Sequence, residues 1–320
     1  MDLIYADKTK TDIGVLQDFT LDLAYGEDEN NFELKMPLPL HCLDVGYFIY
    51  VENTEYGGIV DGWKVDTNDQ TITYKGRTWH GVLNSKVITP PANQDYLVVS
   101  GDANSILRSL VTTLGLDALF TVPQDASTVV LPETQVDRYA QAYTVLLKIF
   151  RNNGGKLVFR FHEGMCEVSC VPLVDYSQDE EFNSDQLTFA IDKVYNTVNH
   201  LICLGKGDLK DRQRLDLYVD VNGNISRTQT ITGLDEITEV YDYSSVESLD
   251  ELEKEGREEI ASRREDGKVE VTLTETQEFD IGDIIGATEE VTHTTVTKHI
   301  SKKIVTISND NLLIDYNING

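Results

Sequence analysis

At 320 residues the chain is long enough for two or three domains of about 100 to 200 residues each. Its 40% hydrophobic and 26% charged content lies in the ordinary globular range, which excludes a disordered or fibrous protein. Twenty-seven basic against 55 acidic residues give a formal net charge of -28, and with no cluster of lysine or arginine to grip phosphates, sequence-specific nucleic-acid binding is excluded as well.

The acidity is spread along the chain: seven basic against sixteen acidic residues in 1–95, six against twelve in 96–190, and fourteen against twenty-seven in 191–320. Such a surface keeps a protein dissolved. No apolar run approaches the roughly 20 residues of a membrane helix, so no membrane-spanning segment is expected. The opening "MDLIYADKTKTD" has no basic stretch followed by an apolar one, so synthesis in a cytoplasm without export is expected.

From Leu3 to Ile88 the predicted elements are strands. "FTLDLAY" sets Phe19, Leu21, Leu23 and Tyr25 on one side, "FELKM" continues the pairing, and "GYFIYVEN" is a more fully apolar strand. In "GIVDGWKVD" Ile59, Asp61, Trp63 and Val65 share one parity, and "TITYKG" places Ile72 with Tyr74. "DTNDQ" is the predicted hairpin turn, with Asn68 and Asp69 tolerating positive φ. Five or six antiparallel strands follow, enough to close a small barrel.

The pattern then turns helical. Asp102 is the predicted N-cap, Ile106, Leu107, Leu110, Val111 and Leu114 form the apolar stripe, and Gly115 is the stop. A second helix is predicted from Asp137, on Tyr139, Ala142, Tyr143, Leu146, Leu147 and Phe150, ending at "NNGG". "KLVFRF" and "MCEVSCVPL" form a hairpin about "HEG". From Val194 strands return in "TVNHLICLG", "RQRLDLYVDVNGNIS", "KVEVTLTETQ" and "HTTVTKHISKKIVTIS". One helix interrupts them, opening on a capping box from Ser248 to Glu251 with a thin apolar stripe at Leu249, Leu252 and Ile260. So narrow a stripe is predicted to cover a barrel edge and not to build a core.

The fold class is therefore mainly β with an α+β insertion. Residues 1–95 are predicted to form a first antiparallel β-barrel, 96–190 an α+β module, and 191–320 a second, similar barrel with a helical insertion near 244–266.

No residue is assigned a catalytic, cofactor-binding or metal-binding role. Cys166 and Cys170 stand about 13 Å apart on one strand face, beyond the roughly 7 Å limit for a disulfide, and with Cys42 and Cys203 they are expected to be reduced. The six histidines, His41, His80, His162, His200, His293 and His299, include no His-x-x-x-His pair. "GKGDLKDR" lacks a Gly-Lys-Ser/Thr ending and opens no helix, so it is a hairpin rim with Gly205 and Gly207 supplying positive φ. There is no Gly-x-Ser-x-Gly elbow. Asp and Glu are too abundant for any pair to stand out as acid and base. The fifteen tyrosines are expected to pack barrel surfaces against neighbours; an exposed platform of Trp63, Trp79 and tyrosines would instead mark a carbohydrate-binding adhesin.

The order of these features resembles the tail-hub proteins of long-tailed bacteriophages. "FTLDLAYGEDENNFELKMP" resembles the opening hairpin of that family. The stretch from "GYFIYVEN" to "VITPP" is similar to its hairpin followed by a Gly-Arg-x-x-x-Gly-x-Leu segment, here Gly76, Arg77, Gly81 and Leu83. "GDANSILRSLVTTLG" and "AYTVLLKIFRNNGGKLVFRF" resemble the helix and the helix-strand unit that follow. "VYNTVNHLICLGKGDLKDRQR", with Arg212 and Arg214, "FDIGDIIGATEE", with Gly282 and Asp283, and "HTTVTKHISKKIVTISNDN" resemble the later strands.

The resemblance implies a non-enzymatic structural protein, a homotrimer whose two barrels per subunit imitate a sixfold ring at the distal end of the tail tube. It implies as partners the distal tail or tail tube protein, the tape-measure protein and a tail fibre or tip protein, with no cofactor. The location implied is the virion, after assembly in the bacterial host cytoplasm, around a channel through which DNA leaves past an acidic wall. The rival functions are a tail-associated cell-wall hydrolase, whose catalytic domain would be expected beyond the second barrel where this chain ends at Gly320, and the adhesin.

Overall fold

Period-two alternation with one apolar face builds the first sheet. The structure, a computed structural model, describes residues 1–177, 187–192, 197–244, 246, 248–263, 268–273, 279–289, 294–308 and 311–318. Strands β1 (Ile4–Ala6), β2 (Asp12–Val15), β3 (Thr20–Gly26), β4 (Asn31–Pro37), β5 (Phe48–Tyr50), β6 (Gly57–Asp66) and β7 (Thr71–Thr78) run antiparallel in the order β3-β4-β7-β6-β5-β1-β2. Leu21, Leu23 and Tyr25 of β3 and Phe32, Leu34 and Met36 of β4 are buried as predicted. Each such side chain contributes about 1.5 to 3 kcal/mol by leaving water.

The parity predicted for β6 does not hold along its length. A bulge between Val60 and Gly62 inserts Asp61 opposite the Gly76–Lys75 step, so Ile59 and Trp63 fall on different registers. In the following turn the positive φ belongs to Gln70, and the Asp66 carboxylate accepts from the Asn68 and Asp69 amides.

After β7 come helix α1 (Trp79–Asn84), β8 (Val87–Ile88), β9 (Leu97–Asp102), helix α2 (Ala103–Thr113), β10 (Phe120–Thr121), β11 (Val130–Val136), β12 (Ala140–Gln141), helix α3 (Ala142–Arg151), β13 (Gly155–His162) and β14 (Met165–Pro172). Helix α2 matches its prediction: Asp102 accepts from the Ser105 amide, and Gly115 follows with positive φ. Helix α3 starts later than predicted. Tyr139 takes φ 53 and points into solvent, and Ala140–Gln141 pair with β8, so the helix begins at Ala142. The β13–β14 hairpin turns on Glu163 and Gly164, both left-handed. These elements share one core with the sheet: Trp79 lies flat on Phe161 at 4.6 Å, and Tyr50 meets the same ring at 4.4 Å.

The later strands are β15 (Leu187–Asp192), β16 (His200–Leu204), β17 (Arg214–Val219), β18 (Ile225–Ser226) and β19 (Thr238–Asp242); helix α4 (Leu249–Ser262) follows, then β20 (Lys268–Leu273), β21 (Ile284–Glu289), β22 (Thr294–Ser308) and β23 (Asn311–Ile318). The closing hairpin, expected in a second barrel, joins the first sheet. β22 pairs with β3 over Lys302 to Ser308, setting Val305 against Leu23 and Ile307 against Leu21. The twelve-stranded sheet runs from β15 to β2, with β21 attached to β22, and does not close on itself among the described residues.

Two compact units result, residues 1–189 with 270–319, and residues 190–269. In the second, β18-β17-β16-β19 form a four-stranded sheet on which helix α4 packs. The helix does build a core there. Leu252 and Ile260 are fully buried with Leu201, Cys203 and Leu217, whereas Leu249 is exposed. The residue missing from the predicted stripe is Gly256, where a Cβ would stand 2.6 Å from Cys203 Sγ. Ser248 is the N-cap residue but makes no side-chain capping bond.

Candidate functional site

The Gly-Arg-x-x-x-Gly-x-Leu segment is the most tightly fitted part of the first unit. At Gly76 a Cβ would lie 2.0 Å from Ile59 O and 2.7 Å from the Phe32 ring, and at Gly81 2.0 Å from Asn30 O. Arg77 forks onto both Asp61 oxygens at 2.8 Å, using the carboxylate that the bulge turns outward. Thr78 caps α1 by accepting from the Gly81 amide, and Leu83 is buried. The motif thus fixes a strand-to-helix corner.

Beneath it lies a buried charged pair. Lys303 Nζ donates to Glu55 Oε1 at 2.8 Å, with the lysine only 2% exposed. Burial alone would lower the lysine, but the Glu55 carboxylate outweighs it and raises Lys303 above the ordinary range. His80 Nε2 is 3.5 Å from Glu55 Oε2, and its ring packs among Tyr25, Tyr143 and Phe159 at 4.7, 5.2 and 3.9 Å. Burial, helped by the Lys303 charge, pulls His80 down to about 3, so it is neutral. His80 Nδ1 and Trp79 Nε1 have no hydrogen-bond partner among the described residues. No solvent path or cleft opens on this cluster, so it specifies packing and carries no chemistry. Residue patterning alone had given no sign of the pair, because Lys303 sits in a strand as polar-alternating as any other.

A second clasp holds the Gly282-Asp283 segment. Lys156 Nζ donates to Asp283 Oδ2 and Asp280 Oδ2 at 2.7 Å, and Asp283 also accepts from the Val174 and Asp280 amides. Burial would lower Lys156, but Asp280 and Asp283 raise it.

The remaining candidate residues are dispersed. His41 faces the Tyr74 hydroxyl at 2.5 Å, His200 lies between Glu236 and Asp216 at 2.7 and 2.9 Å, and His299 meets Gly282 O at 2.9 Å. His293 lies outside the described residues. Among the described residues no three His, Cys, Asp or Glu side chains come together as a metal site. Cys166, Cys170 and Cys203 are buried free thiols and Cys42 an exposed one. Arg212 bonds Gly205 O and Asp242, and Arg214 forks onto Asp216. In the "GKGDLKDR" rim the left-handed residues are Gly207 and Leu209, not Gly205. Trp63 is half-exposed while Trp79 is in the core, so the two tryptophans do not share a platform. No helix among the described residues is long and apolar enough to cross a membrane.

No protein-family model and no curated protein matches the chain. Solved structures do. A 43 kDa tail protein of prophage MuSo2 from Shewanella oneidensis is 12% identical, with a TM-score of 0.59 over 99% of this chain and 98% of its own. Prophage tail protein gp18 from Listeria monocytogenes is 14% identical, with a TM-score of 0.53 over 100% and 94%. A tail protein from Neisseria meningitidis is 13% identical, with a TM-score of 0.53 over 100% and 96%. Along its whole length, therefore, the chain has the fold of phage tail proteins, the proteins that its sequence resembles.

Proposed function

We propose that the protein is a non-enzymatic structural component of a phage or prophage tail, the hub at the distal end of the tail tube. The observation that carries this is the likeness to three prophage or bacterial tail proteins over nearly every residue of both partners. In this reading three copies assemble, and the large sheet of residues 1–78 and 294–318 and the β body of residues 197–263 act as the two alike elements that give a sixfold-like ring. The division after residues 95 and 190 then marks the inserted α+β module. The ring adapts the tube above to fibres or a tip below and encloses the path of the tape-measure protein and DNA. The net charge of -28 supports a wall that lets phosphate pass without adhesion. Assembly takes place in the host cytoplasm and the product resides in the virion.

Native mass spectrometry and electron microscopy of the purified chain, alone and with the tail tube protein encoded beside it, test this. Threefold rings are expected. A monomer that forms no ring even with its tail partners rules the hub out, and a cleared band in cell-wall zymography would favour the hydrolase.

A further inference from the structure

Two short ribbons in the first unit each end on an edge strand. Among the described residues β8 pairs only with β12 and β9 only with β11. Both strands line one groove of about 810 Å³ whose third side is helix α2. Ile106 and Leu110 of α2 lie at its floor, and Val87 and Val98, both exposed, stand on its strand walls. An edge strand presents unpaired N–H and C=O groups, and proteins ordinarily shield it with lysine, proline or a covering segment. Pro90 and Pro91 shield the chain after β8, but the six residues of β9 from Leu97 to Asp102 contain neither proline nor lysine.

Charge narrows the occupant. No acidic residue lines the groove, and Lys86 is the only charged residue in it, in a chain with 55 acidic residues. The floor therefore suits apolar side chains. Around it, residues 96–190 carry six basic against twelve acidic residues, a field that draws cations.

We propose that the groove docks an extended strand of a partner protein, apolar at alternate positions and flanked by lysine or arginine. The strand adds to the edge of β9. Its backbone bonds supply affinity, and the alternate side chains that face α2 supply selectivity. This requires only the geometry of the first unit and does not depend on the hub reading.

The test uses the full chain and a synthetic peptide of alternating valine and threonine between paired lysines. Fluorescence anisotropy reads affinity, and amide hydrogen exchange reads location. Binding is expected to slow exchange in β9. Ser109→Trp, which fills the groove from an exposed position of α2, is expected to weaken binding at least tenfold with Tm unchanged; Thr113→Trp, one turn on, serves if that variant does not fold. A peptide flanked by glutamate is expected to bind at least tenfold more weakly. Unprotected β9 amides, or equal affinity for the tryptophan variant or the glutamate peptide, would overturn the proposal. So would concentration-dependent protection of β9 without peptide, which would identify a second copy as the occupant.

Discussion

Gly76 and Gly81 stand where an added methyl group meets a carbonyl oxygen at 2.0 Å. Backbone cannot yield as a flexible side chain can, so Gly76→Ala and Gly81→Ala are each expected to cost about 2 to 3 kcal/mol in urea unfolding. Gly62→Ala, with nothing within 4 Å of its Cβ, is expected to stay within about 0.5 kcal/mol of the parent. The buried pair gives a second expectation. Lys303→Met leaves Glu55 without its ammonium and is expected to cost about 3 to 5 kcal/mol, part of which returns in the double variant with Glu55→Leu, because the desolvated charge is then gone too. Neutral His80 makes the fold acid-sensitive. Its folded value near 3 lies below the roughly 6.5 of an unfolded histidine, so the unfolded chain takes up the extra proton between those values. Its contribution is whole above about pH 6.5 and is lost at up to about 1.4 kcal/mol per pH unit as pH falls toward 3. Unfolding measured from pH 7 to 4 should therefore show a shallower acid loss for His80→Leu; parallel profiles would mean that the buried ring is already charged.

Among the elements, helix starts that look alike in sequence differ in what holds them. Asp102 accepts from two amides, those of Ser105 and Ser127, so Asp102→Ala is expected to cost about 1 to 2 kcal/mol. Ser248 makes no capping bond, so Ser248→Ala is expected to change urea unfolding by less than about 0.5 kcal/mol. The capping box was legible as a pattern, but whether its hydroxyl reaches an amide depends on backbone geometry that spacing does not encode. Strand alternation in β3 and β4, the α2 stripe and the β13–β14 turn were legible because each is set by neighbours within a few residues. The start of α3 was not: Tyr139 fits the helical period, yet pairing of Ala140–Gln141 with a segment some fifty residues earlier outweighs it. Gly256 was missed for a related reason. A glycine adds nothing to an apolar count, although here it lets α4 approach Cys203 and Leu217 and so turns a thin stripe into a core.

For the whole molecule, the hub reading makes salt a probe. Copies that each carry a formal charge of -28 repel at low ionic strength, and the Debye length shrinks from about 30 Å at 0.01 M to about 8 Å at 0.15 M. Assembly followed by light scattering is therefore expected to strengthen on raising salt through that range. Partner choice between distant strands was the least legible feature, since the alternation of β22 fits any sheet edge equally well. That choice bears on how the protein is made. Thr306 bonds Asp22 across 284 positions, and Lys303 reaches Glu55 across 248. At roughly 5 to 20 residues per second, a ribosome leaves one flank of β3 naked and Glu55 without its counter-ion for something like 15 to 60 seconds. During that window the nascent chain offers a sticky border to any neighbour being translated on the same message, so chaperone supply during synthesis, more than final stability, sets how much soluble protein a cell can accumulate.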